Sequence, residues 1–174
     1  TTPGAYAQYT FNLHNHFIAM AGFRVDHSNV YGTFATPRFH VKWVATDFLT
    51  LRLSAGKGYR SPHALAENNY LLASGRCLMV DQPLKQEAAW NYGTSMALNI
   101  PLFNKTLKLN AEYYYTHFTN QTVIDYDSNP LELHIGNLNG KSYSHTFQID
   151  ASYPVFRGFE LTAAYRYNLV KTTY

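Results

Sequence analysis

Phe48-Leu49-Thr50-Leu51-Arg52-Leu53-Ser54-Ala55-Gly56-Lys57-Gly58-Tyr59-Arg60-Ser61-Pro62 is the stretch on which the reading of the fold turns. Leu49, Leu51, Leu53 and Ala55 fall on one side of an extended chain, with Thr50, Arg52, Ser54 and Gly56 on the other. That period of two marks a strand with one apolar face. Pro62 ends it, because proline has no N–H for a ladder and biases Ser61 towards an extended or turn conformation. The chain is therefore expected to leave the sheet here into a long loop over residues 59–82.

The same alternation extends outward in both directions. Upstream, Ala5 to Leu13, Phe17 to Asp26 and Arg38 to Val44 each put apolar residues on one face and polar ones on the other. Downstream, so do Glu87 to Ile100, Leu107 to Thr116, Tyr143 to Tyr153 and Phe159 to Asn168. Short turns are predicted at 14–16, 46–47, 103–105 and 154–158, and longer connections at 27–35, 59–82 and 125–142. No segment sustains a helical period, so the predicted class is all-β, an antiparallel meander of about eight strands.

Composition narrows the function. The charged fraction is 14% and the aromatic fraction 16%, with 15 Tyr and 11 Phe, which excludes a disordered chain. A net charge of +3 with no run of Lys or Arg gives no footprint for nucleic acid. Cys77 is the sole cysteine, so neither an intrachain disulfide nor a thiolate metal cluster is expected. The eight histidines show no convincing metal spacing, and neither a nucleophile with its base nor a cofactor motif is present. No enzyme activity, catalytic residue, metal or cofactor is predicted.

Three features favour a membrane-spanning β-barrel over a soluble sandwich. Arg24, Asp26, Arg38, Lys42, Arg52, Glu87, Lys108, Glu112, Asp150, Glu160 and Arg166 all fall on the face opposite the apolar one, as a lipid-facing surface demands. Lys57 is the exception, at a strand end where it could reach headgroups. Aromatics such as Trp43, Trp90, Tyr113 and Tyr143 lie on the apolar face, often near strand ends, where barrel girdles use them. Finally, long and short connections alternate, as they do between the two sides of an outer-membrane barrel. An even strand count puts both chain ends on the long-loop side, so the chain is expected to be a piece of a larger barrel. The alternative is a complete small β-barrel or a soluble β-domain with a structural or adhesive role.

At this point a family resemblance enters. Gly56 to Pro62, then Ala66-Glu67-Asn68-Asn69-Tyr70 to Arg76, Leu84 to Glu87 and Trp90-Asn91-Tyr92-Gly93 resemble the barrel of TonB-dependent outer-membrane receptors, especially those of Bacteroides-type bacteria. The resemblance covers nearly the whole of residues 1–174. It implies a 22-stranded transmembrane barrel around a plug, of which this chain is a partial barrel domain without plug or remaining strands. It further implies energised uptake of a scarce nutrient: a ferric siderophore, haem, cobalamin or a glycan. The implied location is the outer membrane of a bacterial cell. The implied partners are outer-membrane lipid, a small-molecule or glycan ligand, and the TonB complex through segments missing here.

Because long outer loops carry specificity, residues 59–82 are the expected ligand contact. Candidate residues are Tyr59, Arg60, His63, Asn68, Asn69 and Tyr70. Arg60 suits a carboxylate or phosphate, although a guanidinium at a loop base more often pins the loop. His63 stands where a haem-iron ligand would be sought, against the plainer reading of a polar loop histidine. The carboxylates of Glu87, Glu112, Asp150 and Glu160 are expected to be solvated or paired across strands with Arg52, Lys108 and Arg166.

Overall fold

The computed structural model of the chain describes residues 2–173, and within them lie eleven strands. They are β1 (Gly4–Leu13), β2 (Phe17–Ser28), β3 (Gly32–Thr46), β4 (Leu49–Arg60), β5 (Cys77–Val80), β6 (Glu87–Leu102), β7 (Lys105–Asn120), β8 (Thr122–Asp125), β9 (Glu132–Asn137), β10 (Lys141–Phe156) and β11 (Phe159–Thr173). Eight of them form one sheet in the order β1-β2-β3-β4-β6-β7-β10-β11, with every neighbouring pair antiparallel. All eight strands expected from the alternation are in it. The short strands β5, β9 and β8 make a separate three-stranded sheet. No helix among the described residues is long and apolar enough to cross a membrane, a fact that is silent about strands.

Local chemistry sets where the strands turn and stop. His14 (φ 48°) and Asn15 (φ 59°), like Phe103 (φ 48°) and Asn104 (φ 59°), occupy the left-handed region at the two central positions of tight turns. Such turns match the right-handed twist of the strands they join. Three prolines lie inside strands, and each sits beyond the point where pairing with one neighbour ends. Pro37 precedes the first β3–β4 pair at Arg38, Pro101 follows the last β4–β6 pair at Leu98, and Pro154 follows the last β7–β10 pair at Ser152. A proline there removes no needed ladder bond.

The register fixes the faces. One row across the sheet runs Thr10, Met20, His40, Ser54, Gly93, Tyr114, and all of these line a concavity of about 530 Å³ on the polar side. On the other side Phe23, Phe39, Trp43, Leu53, Tyr92, Tyr165 and Tyr167 stand exposed. Near the β4–β6 loop end of that side, rings form a belt: Trp90–Tyr92 at 6.1 Å, Tyr92–Tyr115 at 6.4 Å and Tyr115–Tyr143 at 6.3 Å. Lys57, the expected exception, holds its Nζ 4.9 Å from the Tyr59 ring centroid and 5.9 Å from that of Trp90. Its charge thus rests on ring faces.

Several boundaries differ from the sequence reading. The expected long connection at 27–35 is a three-residue turn, 29–31, between β2 and β3. Ser28 Oγ accepts from the Val30 and Tyr31 amides at 3.3 and 3.4 Å, and Gly32 (φ 74°) supplies the left-handed residue. The loops therefore do not alternate strictly in length. The last turn is also tighter than 154–158, since β10 continues to Phe156 through a bulge. Within 125–142 the chain forms β9 rather than a bare loop.

Gly93 is held to glycine by its neighbours. A Cβ there would lie 2.5 Å from Ser54 Oγ and 2.6 Å from Tyr114 Cε1, because the tyrosine ring lies against the glycine. Gly93→Ala is expected to displace that ring and to lower stability by about 1–3 kcal/mol, the usual range for overpacking. A lower midpoint of urea unfolding in detergent would register it; an unchanged midpoint would show that the ring moves freely.

Candidate functional site

Two connections meet at one end of the sheet. After Arg60 the chain makes a short helix, α1 (Ala64–Glu67), and a 3₁₀ helix (Asn69–Ser74), then reverses at Gly75 (φ 73°) into β5. The second connection, between β7 and β10, carries β8 and β9. β5 and β9 pair in parallel from Cys77↔Glu132 to Val80↔Ile135, so the two connections share one small sheet. A buried hydrophobic cluster of the described residues lies here. Leu71, Leu133 and Ile135 are buried against Ala64, Leu78, Val80 and Ile124.

Polar contacts tie the two connections further. Lys85 N donates to Asn137 Oδ1 at 2.9 Å, Asn137 Nδ2 donates to the Pro83 carbonyl at 3.2 Å, and the Tyr70 and Tyr126 hydroxyls are 3.2 Å apart. The unit is fastened to the main sheet through Glu87. Its Oε2 accepts from Arg60 Nε at 2.5 Å, its Oε1 accepts from the Thr122 amide at 2.9 Å, and Arg60 also reaches Glu67 at 3.3 Å. The Glu87 side chain is 11% exposed and that of Arg60 63%. An exposed pair contributes about 0–1 kcal/mol, so the half of this joint that counts is the buried carboxylate with its amide donor.

The six candidate residues do not converge. Tyr59 stands in the aromatic belt under Lys57. Arg60 is engaged by two carboxylates. Asn68 donates to the Ala64 carbonyl at 2.9 Å and closes α1. His63, Asn69 and Tyr70 are exposed to solvent on the connection between β4 and β5. His63 also lines a pocket of about 460 Å³ whose walls include Val30, Tyr31, Leu65, Val80, Gln82 and Leu84. That volume lies in the range of small-molecule sites.

The cross-strand pairing expected for the carboxylates is not found among the described residues. Glu87 turns to Arg60 rather than to Arg52, and Asp150 accepts from the Asn110 amide at 2.7 Å. The reason is position: Glu87 pairs with Arg60 directly across β4 and β6. Sequence reading also missed β9, although Leu131, Leu133 and Ile135 alternate with Glu132 and His134. That signal is short and flanked by Pro130 and Gly136, which hid it. No group of three His, Cys, Asp or Glu among the described residues is arranged to hold a metal.

A curved antiparallel sheet with an apolar outer side, a polar inner side and joined loops at one end defines the wall of a receptor-type β-barrel. The comparisons agree: the family model described as TonB dependent receptor-like, beta-barrel matches residues 1–174, and the chain belongs to that family. It is a family of receptors, not of enzymes. The fold is similar to that of the siderophore receptor PirA from Pseudomonas aeruginosa, with a TM-score of 0.76 and 14% identity over 97% of this chain and 34% of that one. It is likewise similar to the FrpB iron transporter from Neisseria meningitidis, with a TM-score of 0.72 and 17% identity over 98% of this chain and 26% of that one. The ferric enterobactin receptor from Pseudomonas aeruginosa, solved with enterobactin as its R480A mutant, gives a TM-score of 0.76 and 16% identity over 97% and 27%. The chain thus spans about a quarter to a third of these structures. No curated protein matches it by sequence.

Two measurements test the joint. In the whole receptor, Glu87→Ala leaves the Thr122 amide and Arg60 without their acceptor and is expected to cost about 1–3 kcal/mol locally. Hydrogen exchange should then quicken in 61–86 and 121–140 while β2 and β3 keep their protection; uniform protection would show that Glu87 is not the fastening. The second concerns Asp125, whose carboxyl is held below the usual range by the Ser128 hydroxyl first and then by the Asp127 and Ser128 amides. A depressed value means the stabilisation is fully present above the unfolded pKa of about 3.9 and is lost as pH falls through the lower folded value. Protection of the Ser128 amide should therefore be lower in Asp125→Asn than in wild type at pH near 6, and the difference should close as pH falls through the folded pKa of Asp125.

Proposed function

We propose that this chain is part of the wall of an outer-membrane, TonB-dependent transporter, and that the joined outer connections contact the ligand. The observation that carries the proposal is where the chain puts its apolar surface. Among the described residues the buried hydrophobics are Leu71, Ala88, Leu133 and Ile135, while Phe23, Phe39, Trp43, Leu53, Tyr165 and Tyr167 of the wall stay uncovered. A soluble β-domain would pack such faces against each other. An apolar face bounded by an aromatic belt fits lipid instead.

Strand length supports the same reading. β6, β7 and β10 have 16 residues each, whereas crossing the hydrocarbon takes about 9–11. The excess carries the loop unit clear of the membrane. β1 and β11 are the sheet's two edges, which suits a partial domain of a larger barrel, 22-stranded by family resemblance, with neighbouring strands on both sides. Ligand contact falls to His63, Asn69 and Tyr70, with Tyr59, Arg60 and Asn68 shaping the base of the loop. The ligand class is a ferric siderophore, haem, cobalamin or a glycan, and a ferric siderophore is favoured because the similar structures are siderophore and iron receptors. TonB would act through parts of the protein beyond this chain.

Refolding this polypeptide in detergent and in plain buffer tests the membrane assignment. Far-UV circular dichroism should show cooperative β-structure in detergent only; a monodisperse, cooperatively unfolding monomer in buffer would refute it. In the whole receptor, His63→Ala with Tyr70→Ala should weaken binding of the transported compound, sought among ferric siderophores, haem, cobalamin and oligosaccharides, by about tenfold, or 1.4 kcal/mol. Unchanged binding would move ligand contact away from this loop.

A further inference from the structure

We infer that the apolar outer side of the wall ends in a binding row for the anionic phosphate of a lipid headgroup, built on Lys57, His117 and Lys171. The inference rests on the reading of that side as turned to lipid, and it names the lipid chemistry taken there. The register aligns the row across five neighbouring strands: Lys57↔Trp90, Trp90↔His117, His117↔Tyr143 and Tyr143↔Lys171. Residues opposed in this way share one face of the sheet. Basic and aromatic side chains thus alternate along a single line at the loop end. Lys141, opposite Thr173 one step further out on the same face of β10, extends it.

Depth sets this row apart. The next row towards the short turns reads Ala55, Tyr92, Tyr115, His145 and Leu169, and the one after it Leu53, Thr94, Tyr113, Phe147 and Tyr167. Neither holds a lysine or arginine, and His145 has its Nδ1 2.7 Å from the Tyr113 hydroxyl. A lysine is costly at mid-depth of a bilayer and nearly free at its edge, so lysines confined to the end row match the level of the headgroups. The chain supplies no counter-charge there. Asp26, Glu87, Glu112, Asp150 and Glu160, the carboxylates of the wall strands among the described residues, all fall on the inner side. Lys57, His117 and Lys171 make no ion pair among the described residues. The Tyr59 and Trp90 rings steady the Lys57 ammonium but carry no net charge. β4 and β7 are each paired on both sides, so no further wall strand stands beside Lys57 or His117, and a plug inside the barrel does not reach this side. His117 is two strands from either lysine, about 10 Å at the usual strand spacing. Each lysine and the imidazole therefore bracket one headgroup, whose phosphate offers several charged oxygens to their N–H groups at once.

The test uses the whole receptor in an uncharged detergent at constant ionic strength. Phosphatidic acid and phosphatidylcholine with the same chains are the probes, and bound lipid is counted by native mass spectrometry. Phosphatidic acid should be retained in preference, and Lys57→Gln with Lys171→Gln should weaken its retention about tenfold or more. Lys57→Arg with Lys171→Arg should keep it, and Lys108→Gln on the inner side should leave it unchanged. If the double Gln variant does not fold, Lys171→Gln alone supplies the comparison. Added inorganic phosphate should not displace the lipid, because its chains hold it too; displacement would assign the row to a free ion and overturn the inference. Equal retention of the two lipids, or Gln variants that retain phosphatidic acid as wild type does, would overturn it while leaving the wall lipid-facing. A wall that binds neither lipid and refolds in buffer without detergent would remove the membrane reading, and the inference with it.

Discussion

Backbone N–H and C=O groups along a wall that faces hydrocarbon have no water to turn to, so each must be met by the neighbouring strand. The sheet obeys this along its middle. β4 and β6 pair without interruption from Leu49↔Leu98 to Arg60↔Glu87, and β7 and β10 from Lys108↔Ser152 to Phe118↔Ser142. Irregularities are pushed to the ends: bulges at Val44/Thr46 and Pro154/Phe156 lie by the short turns, and one at Ala88/Ala89 by the loops. Prolines occur only past the end of pairing on one side. The same constraint thus governs register, bulge placement and proline placement together.

With the wall's apolar side turned outward, burial within the chain is left to the loops. Leu71, Leu133 and Ile135 form a small hydrophobic cluster that knits two connections far apart in sequence into one body. Two strands paired in parallel need a long crossover, and here β6 and β7 of the main sheet, with β8, supply it. Such a body can present a fixed surface to a ligand, where two separate loops would each lose more conformational entropy on binding. Glu87 is the hinge post between this unit and the wall, since it touches β4, α1 by way of Arg60, and β8.

Charge is distributed with equal economy of place. Lys57 is the one cation on the apolar side of β4, and it lies over Tyr59 and Trp90 within the belt. On the inner side Arg24 is matched by Asp26 in a two-point contact, Nε to Oδ2 at 2.8 Å and Nη2 to Oδ1 at 2.8 Å.

Sequence by itself determined the wall. An exact period of two sorts side chains onto faces before any contact forms, so Leu49 to Ala55 and the matching runs disclosed eight strands and their polarity. The motifs around Gly56 to Pro62 and Trp90 to Gly93 disclosed the family. What only the tertiary structure decided lies in the loops and in pairing across strands. Thr122 to Asp125 and Glu132 to Asn137 are too short to announce themselves, and their strand character comes from partners in β5 and in each other. Arg60 finds Glu87 at a separation of 27 residues. Lys42 meets Arg52 because a bulge beside the 47–48 turn sets the register between β3 and β4. Periodicity is a property of one strand, whereas partners are a property of two.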